Sequence, residues 1–234
     1  MHYFYSTQII GDQIILTDQE WQHLAKSLRM QLGDELWVLD GKGTRYRCKL
    51  DQISKREARA DIEEQWSEPI PAGRLHLAIA PTKNMGRIEW LLEKATEMGL
   101  WKMSFIVTNR TERNRINFER LEKIAISALK QSGNLFLPRI QDVQKFSCFV
   151  EDQAESTQKF IAHCQSDDLP YIGDLVPSGV DVTILIGPEG DFTVEEVELS
   201  KRRGYKEISL GGRRLRTETA GIFVTSMIGI LNRY

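Results

Sequence analysis

Residues 184–192 read Ile-Leu-Ile-Gly-Pro-Glu-Gly-Asp-Phe, an apolar run followed at once by a turn with two glycines and a proline. Residues 210–221 read Leu-Gly-Gly-Arg-Arg-Leu-Arg-Thr-Glu-Thr-Ala-Gly and follow the next predicted strand. In an open parallel α/β sheet, ligands bind beyond the carboxyl ends of the strands, where such turns lie. Each turn alone is equally well explained as an ordinary strand-to-helix connection. The two together predict a ligand site at one edge of a parallel sheet.

Strands and helices alternate along the chain around these turns. The period of the apolar residues predicts strands at residues 75–80, 103–107, 159–163, 182–186 and 206–210, and helices at residues 87–98, 118–129, 193–204 and 220–231. Thr193 and Glu196 have the spacing of a capping box, and Gly204 suits the end of that helix. This alternation implies a parallel sheet with helices on both faces, here over residues 74–234.

The first part of the chain has a different pattern. Alternating or apolar-rich runs occur at 13–16, 35–40, 44–50 and 57–64, and a helical pattern intervenes at 18–29. Asp40-Gly41-Lys42-Gly43 has the residues of a hairpin turn, although it superficially resembles a dinucleotide-binding turn. Residues 66–73, with two prolines, are the best candidate for a linker. We predict a small antiparallel barrel or sandwich over residues 1–70.

Composition and motifs exclude several classes of protein. The three cysteines form no C-x-x-C pair and the four histidines share no ligand spacing, so we expect neither a disulfide framework nor a metal site. A reducing, cytoplasmic location follows from the same cysteine usage. The longest apolar region, near the C-terminus, is too short to span a bilayer, and the N-terminus has no signal-peptide pattern. Phosphate-binding and hydrolase motifs are absent from the sequence.

Several motifs together resemble those of one family. Gly187-Pro188-Glu189-Gly190 followed by Leu215-Arg-Thr-Glu-Thr-Ala220 resembles the catalytic domain of the bacterial 16S rRNA uridine N3-methyltransferases, which belong to the SPOUT superfamily. His23-Leu24 with Leu28-Arg29-Met30 resembles the PUA-like domain of that family, and residues 93–99 resemble its early catalytic helix. The sequence departs from the family pattern at Asp191, where a second glycine is common, and at Lys130 and Asn134, where Glu and Arg often occur.

This resemblance implies a fold, a cofactor and a set of contacts. The fold would be α/β, with a PUA-like β-barrel RNA-binding domain at residues 1–70 and a trefoil-knotted methyltransferase domain at residues 74–234. The cofactor would be S-adenosylmethionine, with no metal. The residues implied to bind it are His163, Cys164, Ile186, Gly187, Pro188, Glu189, Gly190, Leu210, Gly211, Leu215, Arg216, Thr217, Thr219 and Ala220.

The substrate would be a uridine in the 16S rRNA of the small ribosomal subunit. Uracil N3–H must lose its proton before it can attack, so Glu218 is a candidate general base and Arg216 a candidate for stabilising the developing charge. Equally, Glu218 could cap the last helix and pair with Arg216. We predict RNA contacts at Arg29, Arg45, Arg87, Arg110 and Arg113. Basic runs, however, are most often simply solvated faces.

Two further expectations concern assembly and the alternatives. The last helix is apolar nearly all round, which is more than one buried face needs, so we expect a homodimer. The resemblance also implies that each pocket is completed at the interface between subunits. The rival functions are another SPOUT activity, such as methylation of ribose 2′-O or of a tRNA base, and a non-catalytic RNA-binding factor in ribosome assembly.

Overall fold

The computed structural model describes residues 2–152, 158–166 and 168–232 and divides into two compact units. The first unit comprises Met1–Ile70 and Ile126–Leu137, and the second comprises Pro71–Ala125 and Pro138–Tyr234. The division differs from the predicted domain limits in grouping residues 126–137 with the first unit. As functional domains, residues 1–70 and 74–234 stay a prediction.

The first unit is built on one six-stranded sheet with the strand order β1-β4-β5-β6-β3-β2. Leu36, Val38, Tyr46 and Cys48 alternate along β4 and β5 and pack into one apolar core. Trp37 and Arg47, which alternate with them, are only half-buried, as the period of two predicts for the other face of the sheet. The strands are β1 (Tyr3–Tyr5), β2 (Ile9–Ile10), β3 (Gln13–Thr17), β4 (Glu35–Leu39), β5 (Thr44–Ile53) and β6 (Glu57–Ser67).

The predicted hairpin between β4 and β5 is confirmed, because the two strands pair antiparallel. Asp40 Oδ1 accepts hydrogen bonds from the backbone N–H groups of Lys42 (2.7 Å) and Thr44 (3.0 Å). The prediction of a wholly antiparallel sheet is wrong at one pair, since β1 runs parallel to β4. The direction of a short strand relative to a distant partner depends on the connection between them, which a local pattern does not reveal.

One helical segment follows β3, where the sequence predicts a helix over residues 18–29. It begins as α1 (Asp18–Gln22) and continues as a π-helix over His23–Leu28. Arg29 ends it in the left-handed conformation, with φ of 53°. Later in the same unit, Leu129 and Leu135 pack on Leu39. Lys130, one of the departures from the family pattern, donates to Glu20 Oε1 at 2.6 Å.

The second unit contains a parallel six-stranded sheet with the order β12-β10-β11-β7-β8-β9. Every residue of the two central strands, β7 and β11, is buried, which explains why their sequences are apolar except for His76 and Thr183. The strands are β7 (Leu75–Ile79), β8 (Lys102–Val107), β9 (Arg139–Lys145), β10 (Gln158–Ala162), β11 (Val182–Ile186) and β12 (Lys206–Ile208).

Helices cover both faces of this sheet. α2 packs on α7 and α7 on β7 and β11, whereas α4 packs on α6, β8 and β9. Among the described residues, no helix combines the length and apolarity needed to cross a bilayer. The helices are α2 (Met85–Glu97), α3 (Phe118–Ser132), α4 (Phe146–Glu151), α5 (Ile172–Leu175), α6 (Val194–Arg202) and α7 (Thr217–Asn232).

Candidate active site

A cavity of about 500 Å³ opens at the carboxyl ends of β10, β11 and β12. Its walls come from the segment after β10, the glycine turn after β11, and the loop between β12 and α7. This is the edge of the sheet at which parallel α/β proteins bind ligands. Its volume lies within the range of about 300–1,000 Å³ that is usual for small-molecule and cofactor sites.

The turn after β11 is closely packed against its surroundings. A Cβ added at Gly187 would lie 3.2 Å from the ring of Phe192, which is fully buried. The Gly187 carbonyl accepts a hydrogen bond from Thr217 Oγ1 (3.1 Å) at the start of α7. Glu189 Oε1 accepts one from the backbone N–H of Lys83 (3.2 Å). The turn is therefore held to two neighbouring segments of the second unit.

The loop after β12 is more open. Gly211 has φ of 112°, a conformation that favours glycine, and a Cβ there would meet nothing within 4 Å. Its N–H donates to Ser209 Oγ at 3.1 Å. Arg213, Arg214 and Arg216 on this loop are exposed and line the cavity. The loop thus combines accessible backbone with three cationic side chains.

His163 lies on the wall that follows β10, with its side chain 1% exposed. Its Nδ1 accepts a hydrogen bond from the backbone N–H of Gln165 (3.2 Å), and its Nε2 lies 3.1 Å from Glu207 Oε1. A nitrogen that accepts carries no proton, so the proton of the neutral ring is on Nε2 and is donated to Glu207. Both ring nitrogens therefore have protein partners and the ring is almost wholly buried, which leaves the nearby backbone for a ligand.

Twelve of the fourteen residues predicted to bind the cofactor line this cavity, and the exceptions are Gly190 and Thr219. Gly190 instead faces Arg110, whose side chain would lie 3.2 Å from an added Cβ. Asp191, directly beside the quoted motif, also lies on the wall and is missing from the prediction. The other wall residues that the sequence analysis does not include are Ala162, Ser166, Ser209, Gly212, Arg213 and Arg214.

Comparison with known proteins assigns the family. The model of the RNA methyltransferase domain matches residues 68–229, and that of the RNA methyltransferase PUA domain matches residues 16–63. A ribosomal RNA small subunit methyltransferase E from Synechocystis is 30% identical, over 96% of this chain and 75% of that protein. The chain belongs to the ribosomal RNA small subunit methyltransferase E family.

Solved structures agree with this assignment. The crystal structure of a probable rRNA-methyltransferase from Porphyromonas gingivalis is 38% identical, covers 100% of this chain and 99% of its own, and has a TM-score of 0.92. A putative methyltransferase from Legionella pneumophila, solved with the bound cofactor SAM, is 27% identical and covers 98% and 96% of the two chains with a TM-score of 0.83. The predicted α/β fold with a PUA-like first domain is confirmed.

The two candidate catalytic residues of this family member lie in different surroundings. Arg216 is exposed on the cavity wall. Glu218 is buried in the first turn of α7 and is not part of that wall, and its Oε1 lies 3.7 Å from Arg87 Nε. Among residues 2–152, 158–166 and 168–232, its Oε2 finds no hydrogen-bond partner. Arg87, rather than Arg216, is thus the cation beside Glu218.

The arginines predicted to contact RNA divide into two groups. Arg29, Arg110 and Arg113 are exposed, whereas Arg45 and Arg87 are half-buried, and Arg113 Nη1 lies within 3.3 Å of the Lys83 carbonyl. Arg110 donates to the Gly190 carbonyl at 2.6 Å, and Arg87 faces Glu218. The Arg45 guanidinium lies 5.9 Å from the ring centroid of Trp37 and 5.3 Å from that of Trp66. Four of the five, all except Arg29, therefore also have contacts described here within their own unit.

In the part of the chain that the structure describes, His, Cys, Asp and Glu side chains nowhere gather in threes as metal ligands do. The cysteines are free, with Cys48 buried and Cys148 and Cys164 exposed. Cys164 lies on the cavity wall beside Asp191. Its thiol has its pKa raised, first by burial and then by the charge of Asp191, while the charge of Arg214 lowers it.

Proposed function

We propose that this protein transfers the methyl group of S-adenosylmethionine to N3 of a uridine in the 16S rRNA of the small ribosomal subunit. The observation that carries the proposal is the glycine-lined cavity at the carboxyl ends of β10–β12 in a member of this family. The relative from Legionella pneumophila, described above, was solved with SAM bound.

The residues of the cavity fit this cofactor. Gly211 leaves the backbone of its loop accessible, Gly187 lines the cavity, and Leu210, Leu215 and Ala220 supply apolar wall. We infer that the twelve predicted residues on the cavity wall hold the cofactor through this backbone and these apolar side chains, with Asp191 added. When bound, the cofactor supplies a methyl group on a positively charged sulfur, which is an electrophile. The protein then has to exclude water and hold the nucleotide in line, and orientation of this kind lowers barriers by about 7–11 kcal/mol.

Arg216 is the residue to which we assign charge stabilisation. Loss of the proton from uracil N3 leaves negative charge on the ring oxygens, and an exposed guanidinium on the cavity wall suits that charge. The burial of Glu218 beside Arg87 favours a structural role for that carboxylate, as an acid in the first turn of a helix, over a role as general base.

The RNA has to present N3 to the cavity. N3 lies on the Watson–Crick edge, so the nucleotide must be unpaired or flipped out of its helix. We propose that the first unit positions the RNA through Arg29 and Arg45, and that Arg87, Arg110 and Arg113 contact it in the second unit. Exposed Arg29 and Arg113 are the best suited of these to phosphate contacts. We also assign the protein to the cytoplasm, where small subunits are assembled.

We propose that the second unit contains the trefoil knot that the resemblance implies. Beyond β12, the Ser209 N–H donates to the Pro170 carbonyl (2.9 Å), and the Ser209 carbonyl accepts from the Ile172 N–H (3.1 Å). The chain then returns from the edge strand to β11, where Thr217 bonds to Gly187. Such a crossing beside the loop that leaves β10 supports a knot, which chain-connection rules otherwise exclude.

We propose a twofold homodimer formed through α7. One face of this helix is buried, whereas Ile222, Phe223 and Met227 on the other are half-buried and Ile230 is 75% exposed. The adjoining helix α2 leaves Trp90 46% exposed. Large apolar side chains exposed together on packed helices are typical of an interface, and a self-complementary one gives a twofold dimer.

The test uses small subunits from a strain that lacks this gene, incubated with purified protein and S-adenosylmethionine. An N3-methyl group blocks Watson–Crick pairing, so we expect a new stop in reverse transcription and N3-methyluridine in the digested rRNA. Arg216→Ala should abolish the stop. A ribose-methylated product, or methylation of tRNA alone, would instead support another SPOUT activity. Binding to subunits without cofactor binding or methylation would support an assembly factor.

A further inference from the structure

Asp191 has a backbone conformation that is uncommon for a residue other than glycine. It follows the glycine turn after β11 and has φ of 63°, in the left-handed region. Residues with a Cβ are disfavoured there, and glycine is the residue that adopts this conformation without cost. Aspartate tolerates it when its short side chain makes local hydrogen bonds. An aspartate at this position therefore raises the question of what its carboxylate does.

Both oxygens of that carboxylate accept a backbone hydrogen bond. Oδ2 accepts from the N–H of Cys164 at 2.9 Å, and Oδ1 accepts from the N–H of Phe192 at 2.8 Å. Cys164 belongs to the segment after β10, whereas Phe192 belongs to the turn after β11. One side chain thus joins two walls of the cavity that are distant in sequence.

The two walls differ in how firmly they are anchored. The turn after β11 ends at Phe192, whose buried ring packs against Phe146 with the centroids 5.4 Å apart. The Phe192 carbonyl accepts a hydrogen bond from Arg110 Nη1 (3.3 Å). It also accepts one from Gln165 Nε2 (2.8 Å), which is a second contact between this turn and the segment after β10. Residues 164–166, in contrast, are exposed. The bond from Cys164 to Asp191 therefore attaches an exposed segment to an anchored turn.

We infer that Asp191 is a positioning residue, whose carboxylate holds residues 164–166 against the turn after β11 and so orders both walls before a ligand enters. The inference rests on the proposed function in naming that ligand as S-adenosylmethionine. A wall ordered in advance binds more tightly, because less conformational freedom is lost on binding. Hydrogen bonds to a charged acceptor are about twice as strong as neutral ones, which suits a carboxylate to this role.

Two substitutions at Asp191 distinguish the effect of its side-chain hydrogen bonds from the effect of its backbone conformation. Asp191→Gly removes both hydrogen bonds but also relieves the left-handed strain, so the thermal midpoint should stay within about 4 °C of the wild type. Asp191→Asn tolerates the same conformation and keeps one acceptor oxygen. Asp18→Gly is the matched control, because Asp18 is a left-handed aspartate (φ 50°) in the first unit.

Calorimetry with S-adenosylmethionine is the first readout. We expect Asp191→Gly to bind about tenfold more weakly than the wild type, Asp191→Asn about threefold more weakly, and Asp18→Gly equally well. Unchanged affinity in Asp191→Gly, with the fold intact, would overturn the inference. So would a loss in Asp191→Asn as large as that in Asp191→Gly, because the retained acceptor should rescue part of the effect.

Alkylation of Cys164 by iodoacetamide, without cofactor, is the second readout. It is made in a Cys148→Ser background, since Cys148 is exposed and Cys48 is buried. Both Asp191 variants remove the charge that raises the pKa of the thiol, so both should react faster. Asp191→Gly should react several-fold faster still, because it also frees the segment. Equal rates in the two variants would overturn the inference.

The two readouts keep the inference distinct from the proposed function. If the wild type fails to bind S-adenosylmethionine, the proposed cofactor is wrong, but the alkylation rates still report on the tether. If the wild type binds it and Asp191→Gly matches the wild type in affinity, the cofactor assignment stands and the positioning role is wrong.

Discussion

At the scale of single residues, His76 is a buried group with a defined protonation state. Its Nε2 lies 2.8 Å from Ser104 Oγ, and Ser104 Oγ in turn donates to Gln141 Oε1 at 3.0 Å. Burial, followed by the charge of Lys102, lowers the pKa of His76 to about 3. The imidazole is therefore neutral in the folded protein. Because the Ser104 hydroxyl donates its hydrogen bond to Gln141, His76 Nε2 is the donor in the hydrogen bond to Ser104 Oγ.

This histidine makes stability depend on pH. Its pKa is lowered on folding, so below the ordinary value near 6.5 the unfolded chain binds a proton that the folded protein does not. The stability that neutral His76 contributes to the folded protein is fully present above pH 6.5, and it is lost as the pH falls towards 3. At pH 5 the loss amounts to about 2 kcal/mol.

Urea unfolding at pH 7.5 and pH 5 measures this loss. Between these two pH values, we expect the free energy of unfolding of His76→Gln to fall by about 2 kcal/mol less than that of the wild type. This difference is expected whatever the stability of the variant at pH 7.5. The comparison is of pH dependence, so other titrating groups cancel between the two proteins. The same dependence in both proteins would contradict the assignment.

At the scale of elements, α6 shows how local chemistry sets a boundary. Thr193 Oγ1 accepts from the Glu196 N–H (3.3 Å), and Glu196 Oε2 accepts from the Thr193 N–H (2.8 Å), as in the predicted capping box. Glu196 Oε1 also accepts from the Asn109 N–H at 2.8 Å. The box therefore both starts the helix and fixes the loop after β8.

Thr193→Ala removes the cap. We expect a loss of about 1 kcal/mol in the free energy of unfolding, and a thermal midpoint about 2–4 °C lower, because one backbone N–H of the first turn loses its acceptor. Thr193→Ser retains the hydroxyl and should differ little from the wild type. Thermal unfolding followed by circular dichroism measures both variants. A loss in the serine variant as large as in the alanine variant would show that the methyl group, rather than the cap, matters.

At the scale of the whole molecule, the exposed apolar residues of α2 and α7 bear on assembly. A carboxylate buried in an apolar interface costs several kcal/mol unless it is paired. Ile230→Asp should therefore convert the proposed dimer to a monomer in analytical ultracentrifugation at micromolar concentration. Val194→Asp is the control, because Val194 is 63% exposed but lies on α6. A monomeric wild type would remove the basis of the prediction.

Much of the candidate site could be predicted because its signal is local. Glycine, proline and the cap residues act on their nearest neighbours, so the two turns and the start of α6 are visible in the sequence. Asp191 was missed although it adjoins the motif, because its role depends on the hydrogen bond from the Cys164 N–H, and Cys164 follows a different strand, β10. The contact of Glu218 with Arg87 was missed for the same reason, since α7 packs on α2 only in the folded chain.

The sequence by itself determined the elements whose period is clear, above all the buried strands β7 and β11 and the hairpin of β4 and β5. Tertiary structure alone decided the rest. The polar strand β9 and the short helix α4 have weak patterns, and the edge position of β9 allows its side chains to stay exposed. The parallel pairing of β1 with β4, and the grouping of residues 126–137 with the first unit, depend on contacts between distant segments. Such contacts form when the whole chain buries its apolar surface, and no short stretch of sequence encodes them.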